Sequence, residues 1–460
     1  MNTYKFELSK YINDSKDYIE LKKKILKVVP DIFIKEYNDL VIIANKYKDN
    51  VIKLSPLENE CKNIIIDKTT MNIVVYTYNN IYYNDDAKSF IINNDITKYK
   101  SELYESYEGT NLIVFNHNDK WYISTRKCLN SDNSIWVSKS FYKLFLEVID
   151  DTFENFCNLL DKNKYYIFIL VHYENKNIID YSYKFDKEYK KIVYILTKDK
   201  KTHHEIDNDI NLDIKYKNII YQEKLDNFNL LDTENKKNNF KLPINTEGII
   251  QKLTDNENNK TYLLKYQTNA YNIINKIKPN YNCKIKIMID LYKNELLNEH
   301  IIYFPENKYI ILNDINNDNT KYITIGIIDA VFKTLTSELF ELFKLLYNLK
   351  DCSQKNSNLY NTLPVEYKTI LYKIRGIYFN KKQLYINDTE NKDYKKYNLK
   401  IMDIYTLLKN YDINYFINIL KSRDILFNNS DFDFSIISIK CEKYSIELLN
   451  ILIKNLKSKI

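Results

Sequence analysis

Four glycines in 460 residues, Gly109, Gly248, Gly326 and Gly376, constrain this chain more than any other feature of it. Sharp turns and close chain approaches need backbone with positive φ or without a Cβ, and glycine supplies both. In a chain this poor in glycine, one inside an apolar, strand-like run marks a place where a side chain would obstruct something. Gly109 and Gly248 are of that kind, and each follows a glutamate, in Ser106-Tyr107-Glu108-Gly109-Thr110 and Thr246-Glu247-Gly248-Ile249-Ile250. Two Glu-Gly pairs on two strands predict a pocket of nucleotide type.

Composition bounds the reading. Lys, Asn, Ile and Tyr dominate, with 43 tyrosines against three arginines, Arg126, Arg375 and Arg423, as an extremely AT-rich coding sequence produces. A lysine where arginine would be expected therefore carries little information. The net charge of +7 is small beside 68 basic and 61 acidic residues, so a polyanion would have to be held by a local patch. At this length, with 45% hydrophobic residues, two or three domains are expected. The six cysteines are scattered, with no Cys-x-x-Cys and no histidine at metal spacing, which speaks against a zinc site. The opening Met-Asn-Thr-Tyr-Lys-Phe-Glu has no apolar leader, and no run is long enough to span a membrane; a soluble intracellular protein is expected.

Along the chain, residues 1–38 read as one or two amphipathic helices interrupted near Pro30. Strand signals follow at 40–44, 64–78, 111–115, 121–125, 165–173, 191–197, 214–221, 247–253 and 262–267, short runs rich in β-branched and aromatic residues. Helical spacing interrupts them at 139–149 and 152–160, and after about residue 280 it takes over, at 284–300, 329–348, 364–377, 412–426 and 444–456. Polar clusters at 206–213, 235–239 and 315–320 read as loops. The expected fold is α+β: a helical lead-in over 1–50, a mostly antiparallel sheet domain over 51–278, and an all-helical domain over 279–460, with the boundary at Lys278-Pro279.

The order of motifs resembles the nucleotidyltransferase superfamily of RNA ligases, DNA ligases and mRNA capping enzymes, most closely phage-type RNA ligases and their giant-virus relatives, over residues 55–275. Cys61-Lys62-Asn63 followed by Ile64-Ile65-Ile66-Asp67 stands where the family has Arg-Gly and an apolar strand. Ser106-Tyr107-Glu108-Gly109 occupies the Lys-x-Asp/Glu-Gly motif, so the family's nucleophilic lysine is replaced by Ser106, a weak nucleophile with no base beside it in the sequence. Lys120-Trp121-Tyr122-Ile123-Ser124-Thr125-Arg126-Lys127 resembles the strand ending in a basic residue near the phosphates, and Arg126 suits bidentate phosphate recognition. Phe168-Ile169-Leu170-Val171-His172-Tyr173-Glu174-Asn175-Lys176 resembles Phe-Glu-Leu-Val-x-Pro-x-Asn-Arg, with Ile169 at the ribose-binding acid; His172 reads as structural. Glu247-Gly248 matches the motif whose glutamate binds the divalent metal, and Lys265-Tyr266-Gln267-Thr268-Asn269-Ala270-Tyr271 resembles the Lys-x-Lys-Thr-x-x-Tyr motif, with Gln267 in place of its second lysine.

What the resemblance implies is nucleotide binding by Glu108, Gly109, Arg126, Lys265 and Gln267, a metal at Glu247, and RNA contacts at Lys62, Lys127 and Lys176. With the lysine, one acid and one phosphate-binding lysine lost together, the expectation is a degenerate member that binds RNA and no longer nucleotidylates itself. Two alternatives stand beside it: an active ATP- and Mg2+-dependent RNA ligase or guanylyltransferase with a relocated nucleophile, Lys98 and Lys100 being the nearest upstream lysines, and a viral structural or host-interaction protein. The source expected from composition and resemblance is a large DNA virus, acting in host cytoplasm. The segment Tyr367 to Lys382 offers a further RNA surface or a helix with a basic rim.

Overall fold

The computed structural model describes residues 4–45, 54–136, 139–206, 212–235, 244–255, 257, 260–279, 281, 283–313, 320–324, 326–387, 398–427 and 453. The chain divides into two compact units, Met1–Asn275 and Lys276–Ile460. The polar clusters at 207–211, 236–239 and 315–319 and most of the helix expected at 444–456 lie outside the described residues.

In chain order the strands of the first unit are β1 (Phe33–Glu36), β2 (Leu40–Ala44), β3 (Ile64–Asp67), β4 (Ile73–Tyr76), β5 (Tyr82–Tyr83), β6 (Tyr99–Ser106), β7 (Thr110–His117) and β8 (Lys120–Ser124). A short pair, β9 (Ile135–Trp136) and β10 (Lys139–Ser140), precedes β11 (Lys164–His172), β12 (Lys190–Asp199), β13 (Glu205–Ile206), β14 (Ile219–Tyr221), β15 (Lys224–Leu225), β16 (Gly248–Asp255) and β17 (Thr261–Gln267). β1 to β4 form an antiparallel meander; β13-β12-β11-β7-β8 form a second sheet, with β14 parallel to β12; β15-β6-β16-β17-β5 form a third, with β5 parallel to β17.

Period-two alternation builds the layers. Val41, Ile43, Ile64 and Ile66 of the meander pack on the N-terminal helices Leu8–Asn13 and Tyr18–Val28, while Leu40, Ile42 and Ile65 face Ile113 and Phe115 of β7. Leu112 and Val114 point the other way, onto the helices Phe141–Ile149 and Phe153–Cys157. That both-sided burial is why β2 and β3 read as continuous aliphatic runs.

Several elements differ from the sequence reading. The run expected at 64–78 is two strands, because Asp67 caps a turn by accepting from the amides of Thr69 and Thr70. β1 lies in a stretch read as helix, 214–221 is a helical turn followed by β14, and β6 carried no signal because five of its eight residues are polar and its apolar ones, Tyr99, Leu103 and Tyr104, do not alternate with them.

The second unit packs the helices Lys284–Lys293, Leu297–Tyr303, Gly326–Leu346, Ser357–Thr362, Val365–Asn387, Ile401–Lys409 and Ile413–Phe427 around one apolar core. It also holds a hairpin, β18 (Tyr309–Asn313) with β19 (Thr320–Thr324), that helical spacing did not anticipate. No described helix is long and apolar enough to cross a membrane.

One buried charge in the first unit has a measurable consequence. Lys198 on β12 borders a cavity of about 10 Å³ with Tyr4, Tyr76, Tyr78 and His203, its ammonium 4.3 Å from the Tyr76 ring centroid. Burial lowers its pKa from 10.5 to about 7. Between those values the unfolded chain binds a proton that the folded one does not, so this group weakens the fold most near and below pH 7, and the loss fades as pH rises. Lys198→Met is therefore expected to raise stability in denaturant titrations by a few kcal/mol at about pH 6, with a smaller gain at about pH 9.

Candidate functional site

Three adjacent strands bring the conspicuous residues together. Gly248, at the start of β16, is paired with Ser106 of β6 on one side and Gln267 of β17 on the other. Its φ of +149° is hostile to a side chain, and an added Cβ would lie 1.9 Å from the Tyr266 carbonyl oxygen. At Gly109 an added Cβ would lie 2.4 Å from the Leu170 carbonyl oxygen. Both conspicuous glycines thus permit close backbone approaches.

Glu247, 4% exposed, is the hub. Its Oε2 accepts from the Ser106 hydroxyl at 2.7 Å, while Oε1 meets the Lys265 ammonium at 2.5 Å and accepts from the Gln267 amide at 3.2 Å. Asn84 orients that amide, donating to the Gln267 side-chain oxygen at 3.1 Å and accepting from the Gln267 backbone N–H at 2.8 Å. The sequence showed no base beside Ser106; the fold supplies a carboxylate from 141 residues away.

Glu108 is held separately. The amides of Ile178 and Ile179 donate to its Oε2, each at 2.7 Å, and the Tyr271 hydroxyl donates to Oε1 at 2.8 Å. Burial and the nearby Glu247 nonetheless push its carboxyl upward. Burial pushes the Tyr271 hydroxyl up strongly, with Glu247 and Glu108 adding to it. The Glu108 backbone N–H donates to Tyr181 at 2.6 Å, so this loop is fastened at both ends. Tyr271 closes the Lys-x-Lys-Thr-x-x-Tyr motif, whereas Asn84 and Tyr181 had no signal of their own in a chain where tyrosine and asparagine are everywhere.

Two further cations, Lys62 and Arg126, lie close to Lys265. Lys62 places its ammonium 4.3 Å from the Tyr78 ring centroid, and burial holds its pKa well below the ordinary lysine range, with Arg126 and Lys265 acting in the same direction. The Arg126 Nε donates to the Lys62 carbonyl at 3.1 Å, and a terminal nitrogen donates to the Asn45 carbonyl at 2.6 Å and to its side-chain oxygen. This guanidinium, expected as a bidentate phosphate ligand, straps the chain that carries Lys62, because the loop after β8 closes against the loop after β2.

The remaining expectations fall outside this cluster. Lys127 lies 5.2 Å from the Phe33 ring centroid, and Lys176, on the turn that caps Glu108, pairs with Asp180 at 2.8 Å. Lys98 is exposed, and Lys100 pairs with Glu102 at 3.3 Å, six residues and ~20 Å along β6 from Ser106.

The residues around Glu247 do not make a divalent-metal site. Its two oxygens are already engaged by Lys265, Gln267 and Ser106, and Glu108 faces backbone amides. Among the described residues the one close cluster of potential ligands is Glu147, His172 and Glu174. There the His172 Nδ1 accepts from the Glu174 amide at 3.1 Å, leaving the proton of the neutral ring on Nε2, where a metal would have to bind. Lys139 bridges both carboxylates at 2.7 Å, so the cluster is a closed ion network.

No protein-family model matches this sequence, and no curated protein does. Among solved structures the chain is similar to a protein described as an ATP-dependent DNA ligase of Aquifex aeolicus, at 17% identity over 62% of this chain and 71% of that one, TM-score 0.37. An archaeal ATP-dependent RNA ligase is 10% identical over 62% and 69%, TM-score 0.35. An RNA ligase of Naegleria gruberi, solved as a mutant with AMP and Mn, is 12% identical over 44% and 58%, TM-score 0.32. The chain is an α+β protein with N-terminal antiparallel sheets and a helical C-terminal region, and these solved structures similar to it are described as DNA and RNA ligases.

Proposed function

We propose that this chain binds nucleoside triphosphate and RNA on an RNA ligase-like nucleotidyltransferase scaffold without attaching nucleotide to itself. The observation that carries the reading is the Ser106–Glu247–Lys265 cluster. The position where the family presents an amine holds a buried hydroxyl tied to Glu247 at 2.7 Å, and the Lys265 ammonium is ion-paired to that same carboxylate at 2.5 Å. Lys62, Lys265 and Arg126 nonetheless interact as one group of cations, which suits a polyphosphate. RNA as the second ligand rests on the motif order, and the host cytoplasm of a large DNA virus is the setting that composition favours.

A relocated nucleophile remains the second reading. The observation that favours it is Lys62, whose pKa is lowered by burial and by the neighbouring Arg126 and Lys265, the direction that activates an amine as a nucleophile. An adduct on Lys62 would support it.

The two readings share a pH signature. An anion favours the charged form of Lys62, so binding draws in a proton. From the lowered pKa of Lys62 up to 10.5, ATP affinity is expected to fall with rising pH, by at most about tenfold per unit. Lys62→Arg, charged throughout, is expected to flatten that slope. Calorimetry in buffers of different ionisation enthalpy measures the proton directly; no uptake would remove Lys62 from the binding site. Lys265→Ala is expected to weaken ATP about tenfold or more, the loss of a charged hydrogen bond, and unchanged affinity would place the nucleotide elsewhere.

A further inference from the structure

The helix Val365–Asn387 is apolar on two sides. Its inner side, with Tyr367, Ile370, Leu371, Ile374 and Tyr378, is buried in the core of the helical unit. Another side presents Val365, Tyr372, Phe379 and Ile386, respectively 72%, 75%, 43% and 60% exposed. Helices apolar all round belong inside a protein or against a partner.

These four residues recur every seventh position along the helix. On a straight α-helix a seven-residue repeat drifts by ~20° per heptad, so a seam of this spacing stays covered along its length by a second helix wound around the first. Thr369, Gly376 and Gln383 complete the seam four residues after each of the first three. An added Cβ at Gly376 would meet nothing within 4 Å, leaving room between Tyr372 and Phe379 for a large partner side chain.

The charges beside the seam select the partner. Lys368, Lys373, Arg375 and Lys382 flank it, Lys368 donating to the Asn361 carbonyl at 3.1 Å, Lys373 4.3 Å from the Tyr411 ring centroid and Arg375 5.4 Å from those of Tyr347 and Phe379, against one acid, Glu366, whose carboxylate accepts from Ser422 at 2.7 Å. A second copy of the helix would set these cations against one another whether it ran parallel or antiparallel, and like charges at such flanks oppose pairing. Single-stranded RNA would find two stacking rings, while the aliphatic ends of the seam offer it little.

We propose that the face formed by Val365, Tyr372, Phe379 and Ile386 docks an acidic amphipathic helix of another protein as a two-stranded coiled coil. Large apolar side chains of that helix fill the gap at Gly376, and its glutamates or aspartates meet the flanking lysines and Arg375.

The test uses the full chain and a fluorescent synthetic helix of about four heptads, with leucine at its core positions and glutamate at its flanks. Fluorescence anisotropy is expected to show binding that weakens with added salt. A lysine-flanked version of the peptide should not bind. Tyr372→Glu combined with Phe379→Glu should weaken the glutamate peptide about tenfold or more. Val365→Ser with Ile386→Ser is a second, milder variant expected to weaken it less, and circular dichroism verifies that both stay folded. Equal binding of the two peptides, or no effect of either variant, overturns the proposal. So does sedimentation that finds a homodimer dissociated by the variants, or a single-stranded RNA oligomer whose binding is lost in them while the peptide's is kept.

Discussion

Replacing Gly248 by alanine is expected to cost on the order of 3–6 kcal/mol, enough to unfold a marginally stable chain, by adding backbone strain to overpacking. The methyl group would stand 1.9 Å from the Tyr266 carbonyl oxygen and 2.8 Å from the Gln267 Cα, and both atoms belong to the neighbouring strand. Neither can retreat without opening the β16–β17 ladder, whose register sets Gly248 opposite Gln267. Positive φ compounds the clash. Gly376→Ala is the control: it is helical with open space around it, and should stabilise by about 0.5–1 kcal/mol. Thermal unfolding of the two variants side by side checks both signs. A soluble Gly248→Ala protein with wild-type stability would mean that β16 and β17 approach each other differently.

The second large effect lies in the helical unit. Arg423, fully buried, donates from Nε to Glu338 Oε2 at 2.7 Å and from a terminal nitrogen to Oε1 at 2.6 Å, and Glu338 is 2% exposed. Arg423→Met leaves that carboxylate buried without its partner, at an expected cost of about 3–5 kcal/mol. Removing both charges, as Arg423→Met with Glu338→Leu, should recover most of the loss and can exceed wild type by about 1–4 kcal/mol. Denaturant titration of the single and double variants separates pairing from packing. If the double variant is as unstable as the single one, the pair contributes shape that Met and Leu do not replace.

How much of this was legible in the sequence depends on where each side chain's partner sits. β2, β7, β11, β12, β16 and β17 announced themselves because each buries β-branched or aromatic residues, several of them on both faces. The two Glu-Gly pairs were legible because glycine is so scarce. β6 was not, although it carries Ser106 and lies between β15 and β16, since its outward residues are polar and most of it is only half buried. Pairing across 141 residues gave Ser106 its carboxylate partner, and no local pattern encodes that. Arg126 was found as an unusual residue at a strand end, and its hold on the Lys62 and Asn45 carbonyls was not legible. Rarity located the residue; only the loops packed around it show these partners.

The central claim, a nucleotide pocket whose attacking amine is gone, is tested most directly by incubating the full chain with α-labelled ATP or GTP and a divalent metal, then comparing label held natively with label held after denaturation. The account predicts label bound by the native protein, weakened by Lys265→Ala, and none surviving denaturation. Label that survives and is released by mild acid would be a phosphoramidate, contradicting the account and sending the search to Lys62. Label that survives acid would be a phosphoester, pointing to Ser106 with Glu247 as its base.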